Sequence, residues 1–171
     1  MIYIKDQQCL LSKENKMNEI SFALNQPKPE EQLELVGTVL WNKANKLGSF
    51  EKLSLPERNF VYLDIFESEL NNGGLFHFLY NDSGRFYDAV YNAFFTIKAI
   101  ENGFIYRKIN QLLEIEIIPL EILERRYILD NISSTKLKEL SDLELEFLAC
   151  KEDLVHLMLS YVRQHQSDFE Y

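Results

Sequence analysis

A chain of 171 residues, 46% hydrophobic and 13% aromatic, is long enough to bury a core without disulfides or a structural metal, and too apolar to be disordered. Its 27 Asp and Glu against 18 Lys and Arg leave a formal charge of -9, which repels nucleic acid and anionic membrane and favours basic partners. Cys9 and Cys150 lack the spacing of a zinc knuckle or a redox motif and read as reduced thiols, no segment approaches the ~18 apolar residues of a membrane span, and a cytoplasmic location is expected.

Met1 to Asn25 mixes apolar and polar residues without a regular period, and Gln26-Pro27-Lys28-Pro29 predicts a loop, because proline cannot continue a helix. From Glu30 onward Leu33, Val36, Leu40, Ala44 and Leu47 recur every three or four residues, the buried stripe of a helix that Gly48 ends. Ser54-Leu55-Pro56-Glu57 has the form of a capping box, in which the Ser54 hydroxyl accepts from the Glu57 amide while Glu57 reaches back. The helix it starts buries Phe60, Leu63, Phe66 or Glu67, and Leu70, and is expected to end at Asn71-Asn72-Gly73-Gly74. A short aromatic segment, Leu75 to Tyr80, leads into Asn81-Asp82-Ser83-Gly84, a second cluster of turn and cap residues.

Beyond it, Phe86, Val90, Ala93, Phe94, Ile97 and Ile100 form one stripe, Asn102-Gly103 interrupt it, and Tyr106, Ile109, Leu112 and Leu113 continue with helical spacing, which predicts two helices. Pro119 to Ser134 reads as a connection holding one short helix. In the last helix Leu143, Phe147, Cys150, Leu154, Leu157, Met158 and Tyr161 share one face over several turns. With no internal repeat and no persistent strand alternation, the fold class is all-α: a single compact multi-helix domain with a long C-terminal helix.

Chemistry is sparse. His77, His156 and His165 have no metal-binding spacing, and His77, inside an aromatic segment, reads as a packed and hydrogen-bonded side chain. No phosphate-cradling glycine motif, serine elbow or activated cysteine occurs, so no catalytic residue, cofactor or metal is expected. Glu67 and Glu69 lie two apart and leave a helix on different faces; Glu67, beside the apolar stripe, needs donors such as the amides near Gly73-Gly74 or Ser83-Gly84. On the last helix Asp142, Glu146 and Asp153, extended by Glu139, fall along one edge, a row able to meet a basic protein, although a solvated helix face is the commoner origin of such a row.

Glu67-Ser68-Glu69-Leu70-Asn71-Asn72-Gly73-Gly74, continued through Phe76, Phe78, Tyr80, Asn81, Ser83 and Gly84, resembles the signature of a bacterial family once described only as a domain of unknown function, whose named representative is a DNA-mimic protein. The likeness extends through Leu143 to Phe147, Glu152-Asp153-Leu154 and Tyr161-Val162-Arg163, so it spans residues 54–169, with 1–50 an N-terminal helical segment packed on the same domain. The resemblance implies a helical, dimeric, non-catalytic module whose carboxylates, here Glu139, Asp142, Glu146 and Asp153, replace phosphates on a protein with a basic surface, such as a transcription regulator or nucleoid protein. It makes Glu67, Glu69, Asn71, Asn72, Gly73, Gly74, Tyr80, Asn81, Ser83 and Gly84 scaffold and implies no direct contact with nucleic acid or membrane. Arg85, Arg107, Lys108, Arg125 and Arg126 interrupt the negative surface. Two other readings fit a small acidic chain: an immunity or antitoxin-like protein, and an enzyme with a pocket near Glu67, Glu69, His77, Tyr80 and Asn81.

Overall fold

The structure, a computed structural model, describes residues 18–169; what the sequence implies for residues 1–17, Cys9 included, lies outside the described residues. Among them the helices run α1 (Glu19–Leu24), α2 (Pro29–Leu47), α3 (Leu55–Tyr80), α4 (Tyr87–Thr96), α5 (Ile100–Leu113), α6 (Ile122–Asp130), α7 (Ser134–Leu148), α8 (Leu154–Gln164) and α9 (Gln166–Phe169). Short 3-10 turns at Phe50–Lys52 and Asp82–Phe86 bracket α3, and no strand occurs among the described residues. The fold is all-α in a single domain.

The boundaries of the first two long helices follow from local chemistry. Pro29 opens α2, where its missing N–H costs nothing, and Gly48, at φ 77°, closes it in the left-handed region. At the start of α3 the Ser54 hydroxyl accepts from the Glu57 N–H while Glu57 Oε2 accepts from the Ser54 N–H at 2.8 Å. Glu57 is 0% exposed, and its other oxygen meets Lys43 Nζ of α2 at 2.7 Å, so the cap also ties the two helices together.

α3 is the axis of the molecule, touching α2, α4, α6, α7, α8 and α9, while α5 packs against α4 and α7. Phe66 lies at its centre, with the rings of Phe78, Phe94, Tyr106 and Phe147 around it at 5.2–5.5 Å, all near edge-on. This geometry sets ring edges against ring faces and adds to the burial of apolar area. The core runs unbroken from Ile20 in α1 to Phe169 in α9. Side-chain bonds from Arg163 to Gln32 (2.6 Å) and from Gln166 to Ser21 (2.9 Å) join the two ends of the described chain.

Asn71-Asn72-Gly73-Gly74 ends the first, long run of α3 as expected: Gly74 leaves helical geometry, and a short aromatic run of helix follows the kink to Tyr80. Two expectations are corrected. Asn102-Gly103 does not interrupt a stripe but lies buried within α5; the break falls at Ile97–Ala99, where Lys98 takes φ 69°. Glu152 Oε2 accepts both the backbone N–H of Asn102 (2.9 Å) and its side-chain amide (3.1 Å), so the new helix start is capped from a distant segment.

The second concerns the long C-terminal helix, which is two helices separated at residues 149–153. Asp153 takes an extended backbone and accepts the His156 N–H at 2.9 Å, offering the chain an N-cap in place of helix continuation. No helix of the described residues is long and apolar enough to cross a membrane.

Candidate functional site

The kink in α3 organises the signature segment. Gly74 sits at φ 76°, ψ -171°, a conformation essentially confined to glycine, and a Cβ there would collide with the Glu144 carboxylate. The break frees backbone donors, and Glu144 of α7 takes one of them, accepting from the Leu75 N–H at 2.9 Å. Glu69, on the opposite side of the helix from Glu67, accepts from the Ser83 hydroxyl (2.6 Å) and the Asn81 amide (3.0 Å) and lies 2.7 Å from His77 Nδ1. The donors anticipated for Glu67 thus belong to Glu69 and Glu144. His77 is hydrogen-bonded but 46% exposed rather than packed.

Below this turn lies a buried cation that sequence reasoning counted as surface. Arg125 of α6 is 2% exposed and donates to the carbonyls of Leu79 (3.0 Å), Asn81 (2.7 Å) and Pro119 (2.9 Å), with Leu120 and Asp82 also in range. A planar guanidinium suits such a fork of carbonyls, and Gly84 gives it room: a Cβ at Gly84 would stand 2.6 Å from Arg125 Nε. Arg126 donates to the Tyr80 carbonyl at 3.0 Å and lies over the Tyr80 ring at 4.7 Å. The enzyme-pocket set therefore does not converge on one space. Glu69, His77 and Asn81 bond to one another, Tyr80 lies under Arg126, and Glu67 turns elsewhere.

Glu67 faces a trough between α2 and α3. One hollow of about 280 Å³ is lined by Glu30, Glu34, Asp64, Glu67, Ser68 and Asn71, over a floor of Leu33 and Val155. A second of about 360 Å³, lined by Trp41, Asp64, Ile65, Ser68 and Glu69, adjoins it through the shared Asp64 and Ser68. Among the described residues no Lys or Arg lines either hollow. Burial pushes the Asp64 carboxyl above its usual range against the opposing bond from Trp41 Nε1 (2.9 Å), and burial followed by the charge of Asp64 pushes Glu67 up as well. Asp64, Glu30 and Glu34 were missed in the sequence. Their signal was the polar run Asp64, Glu67, Ser68, Asn71 at i, i+3, i+4 and i+7 on the signature helix, facing Glu30 and Glu34 at i and i+4.

The anticipated acidic row is brought together only in part. Glu139, Asp142 and Glu146 line a groove of about 340 Å³ between α5 and α7, but Lys108 shares it and pairs with Glu146. Asp153 is not in line with them, because α7 ends before it and its carboxylate caps α8. Among the described residues no three His, Cys, Asp or Glu converge as a metal site requires.

No curated protein and no solved structure matches the chain. The model of one protein family does, from residue 51 to residue 165, an interval that holds the capping box of α3, the Gly74 kink, the Arg125 fork and the paired helices α7 and α8; the chain belongs to the DMP19-like protein family.

Proposed function

We infer that this protein is a non-catalytic acidic binding module that covers the DNA-binding face of a basic protein, its carboxylates standing where phosphates would lie. The observation that carries this reading is the trough: Glu30, Glu34, Asp64 and Glu67 face one space with no cation among the described residues of its lining, and burial raises the pKa values of Asp64 and Glu67. Carboxylates concentrated in this way weaken the folded chain, yet they suit a surface that receives charge from outside. Membership of the DMP19-like family is consistent with it. Glu139 and Asp142, beside the Lys108–Glu146 pair, form a second negative strip on another face. The partner is a DNA-binding protein of the transcription-regulator or nucleoid kind, met by a cytoplasmic, dimeric form of this chain.

The test is retention of proteins from the native host on the immobilised chain, with and without competing duplex DNA. A basic DNA-binding protein should be held at low salt, released by duplex DNA and by raised salt, and lost when Glu30, Glu34 and Glu67 become Gln and Asp64 becomes Asn. Retention that ignores both salt and DNA would rule the reading out.

A further inference from the structure

Away from the trough, the segment that enters α6 presents the most exposed apolar side chains of the described molecule: Ile117, Leu120, Leu123 and Tyr127, at 69, 70, 74 and 73%. Single exposed apolar residues need no explanation, but these succeed one another at spacings of three and four, and Leu123 and Tyr127 stand one turn apart on the same face of α6. Nor is the segment loosely held. The Pro119 and Leu120 carbonyls accept from the buried Arg125 guanidinium, and Ile118 and Leu129 anchor the stretch in the core. The apolar stripe is thus fixed outward by the same residue that locks the signature turn.

Around the stripe stand Glu116, Glu121, Glu124 and Asp130, all exposed and none in an ion pair among the described residues. The nearby cations are engaged: Arg126 lies over Tyr80 and bonds its carbonyl, and Arg85 pairs with Asp82 at 3.1 Å. An apolar strip along one helix, rimmed by carboxylates, complements an apolar strip rimmed by Lys and Arg. A second copy placed symmetrically on it would set the same carboxylates against each other. We propose that the exposed face of α6 with its entry segment is a docking site for a basic amphipathic helix of another protein, Leu120, Leu123 and Tyr127 packing against its apolar stripe and the surrounding carboxylates receiving its Lys and Arg. This surface is separate from the α2/α3 trough and does not depend on DNA mimicry.

The probe is a fluorescently labelled synthetic helix with leucines at i, i+3, i+4 and i+7 flanked by lysine and arginine, titrated with the full chain and followed by anisotropy. Saturable binding is expected, weakened at least about tenfold by Leu123→Ser with Tyr127→Ser, side chains exposed enough that circular dichroism and the melting temperature stay as in the parent. Glu124→Gln with Asp130→Asn should weaken binding and flatten its salt dependence. A trough variant carrying Asp64→Asn and Glu67→Gln should bind the probe as the parent does, so failure here and failure of the trough reading are separable. The proposal is overturned if the probe does not bind, if a peptide with Glu in place of Lys and Arg binds equally well, or if Leu123→Ser with Tyr127→Ser leaves affinity unchanged. It is overturned in favour of a second copy if sedimentation shows a dimer of the parent that this double substitution dissociates.

Discussion

A methyl group added at position 74 meets the Glu144 carboxylate and must hold a backbone that only glycine adopts readily. Gly74→Ala is expected to cost about 2–4 kcal/mol in denaturant unfolding. Gly48→Ala, also at positive φ but with open space around it, should cost only about 1 kcal/mol. In the trough the sign is reversed. The carboxyls of Asp64 and Glu67 are pushed up by burial, so the folded state holds protons that the unfolded state releases. The stability they allow is fully present below their ordinary values, near 3.8 and 4.5, and is lost as pH rises through the raised ones. Glu67→Gln is therefore expected to raise the melting temperature at pH 7 by about 1–3 °C and to flatten its decline between about pH 4 and 7, as followed by calorimetry. The same substitution should weaken a basic partner.

Elements were legible in the sequence where their ends are settled locally. Pro29 and Gly48 delimit α2, and Ser54 with Glu57 opens α3, because each cap is completed within a few residues. The break at Gly74 was legible as well, but the acceptor of the Leu75 amide, the start of α5 and the split between α7 and α8 were not: Glu144 and Glu152 lie about 70 and 50 positions away from the amides they receive. Likewise the signature residues could be named from their order, but Arg125, which holds the turn from beneath, reads in sequence as one more surface cation. Its spacing carries no sign that five carbonyls point at it. Arg125→Lys is expected to cost about 2–3 kcal/mol in urea unfolding and to speed amide exchange near residues 79–84, since a point charge cannot satisfy that fork. Between α2 and α3, Lys43→Met should cost about 2–4 kcal/mol, because among the described residues the fully buried Glu57 carboxylate is then left with the Ser54 amide as its donor.

For the molecule as a whole, a charge of -9 makes the folded chain repel itself while it attracts a basic partner. The two effects respond oppositely to ionic strength. Raising sodium chloride from about 0.05 to 0.3 M should lift the melting temperature of the free protein by about 1–3 °C and weaken its complex with a basic partner at least about tenfold, measured by scanning calorimetry and by titration. A complex that strengthens with salt would place its contacts on apolar surface alone. The carboxylate that closes the Gly74 kink has a consequence for biosynthesis as well. The front of α3 carries its own cap and can form as soon as it leaves the ribosome, whereas the stretch after Gly74 waits for residue 144 to be translated. Nascent chains arrested before that point should be cut by protease within residues 75–84, and chains arrested well after it should not.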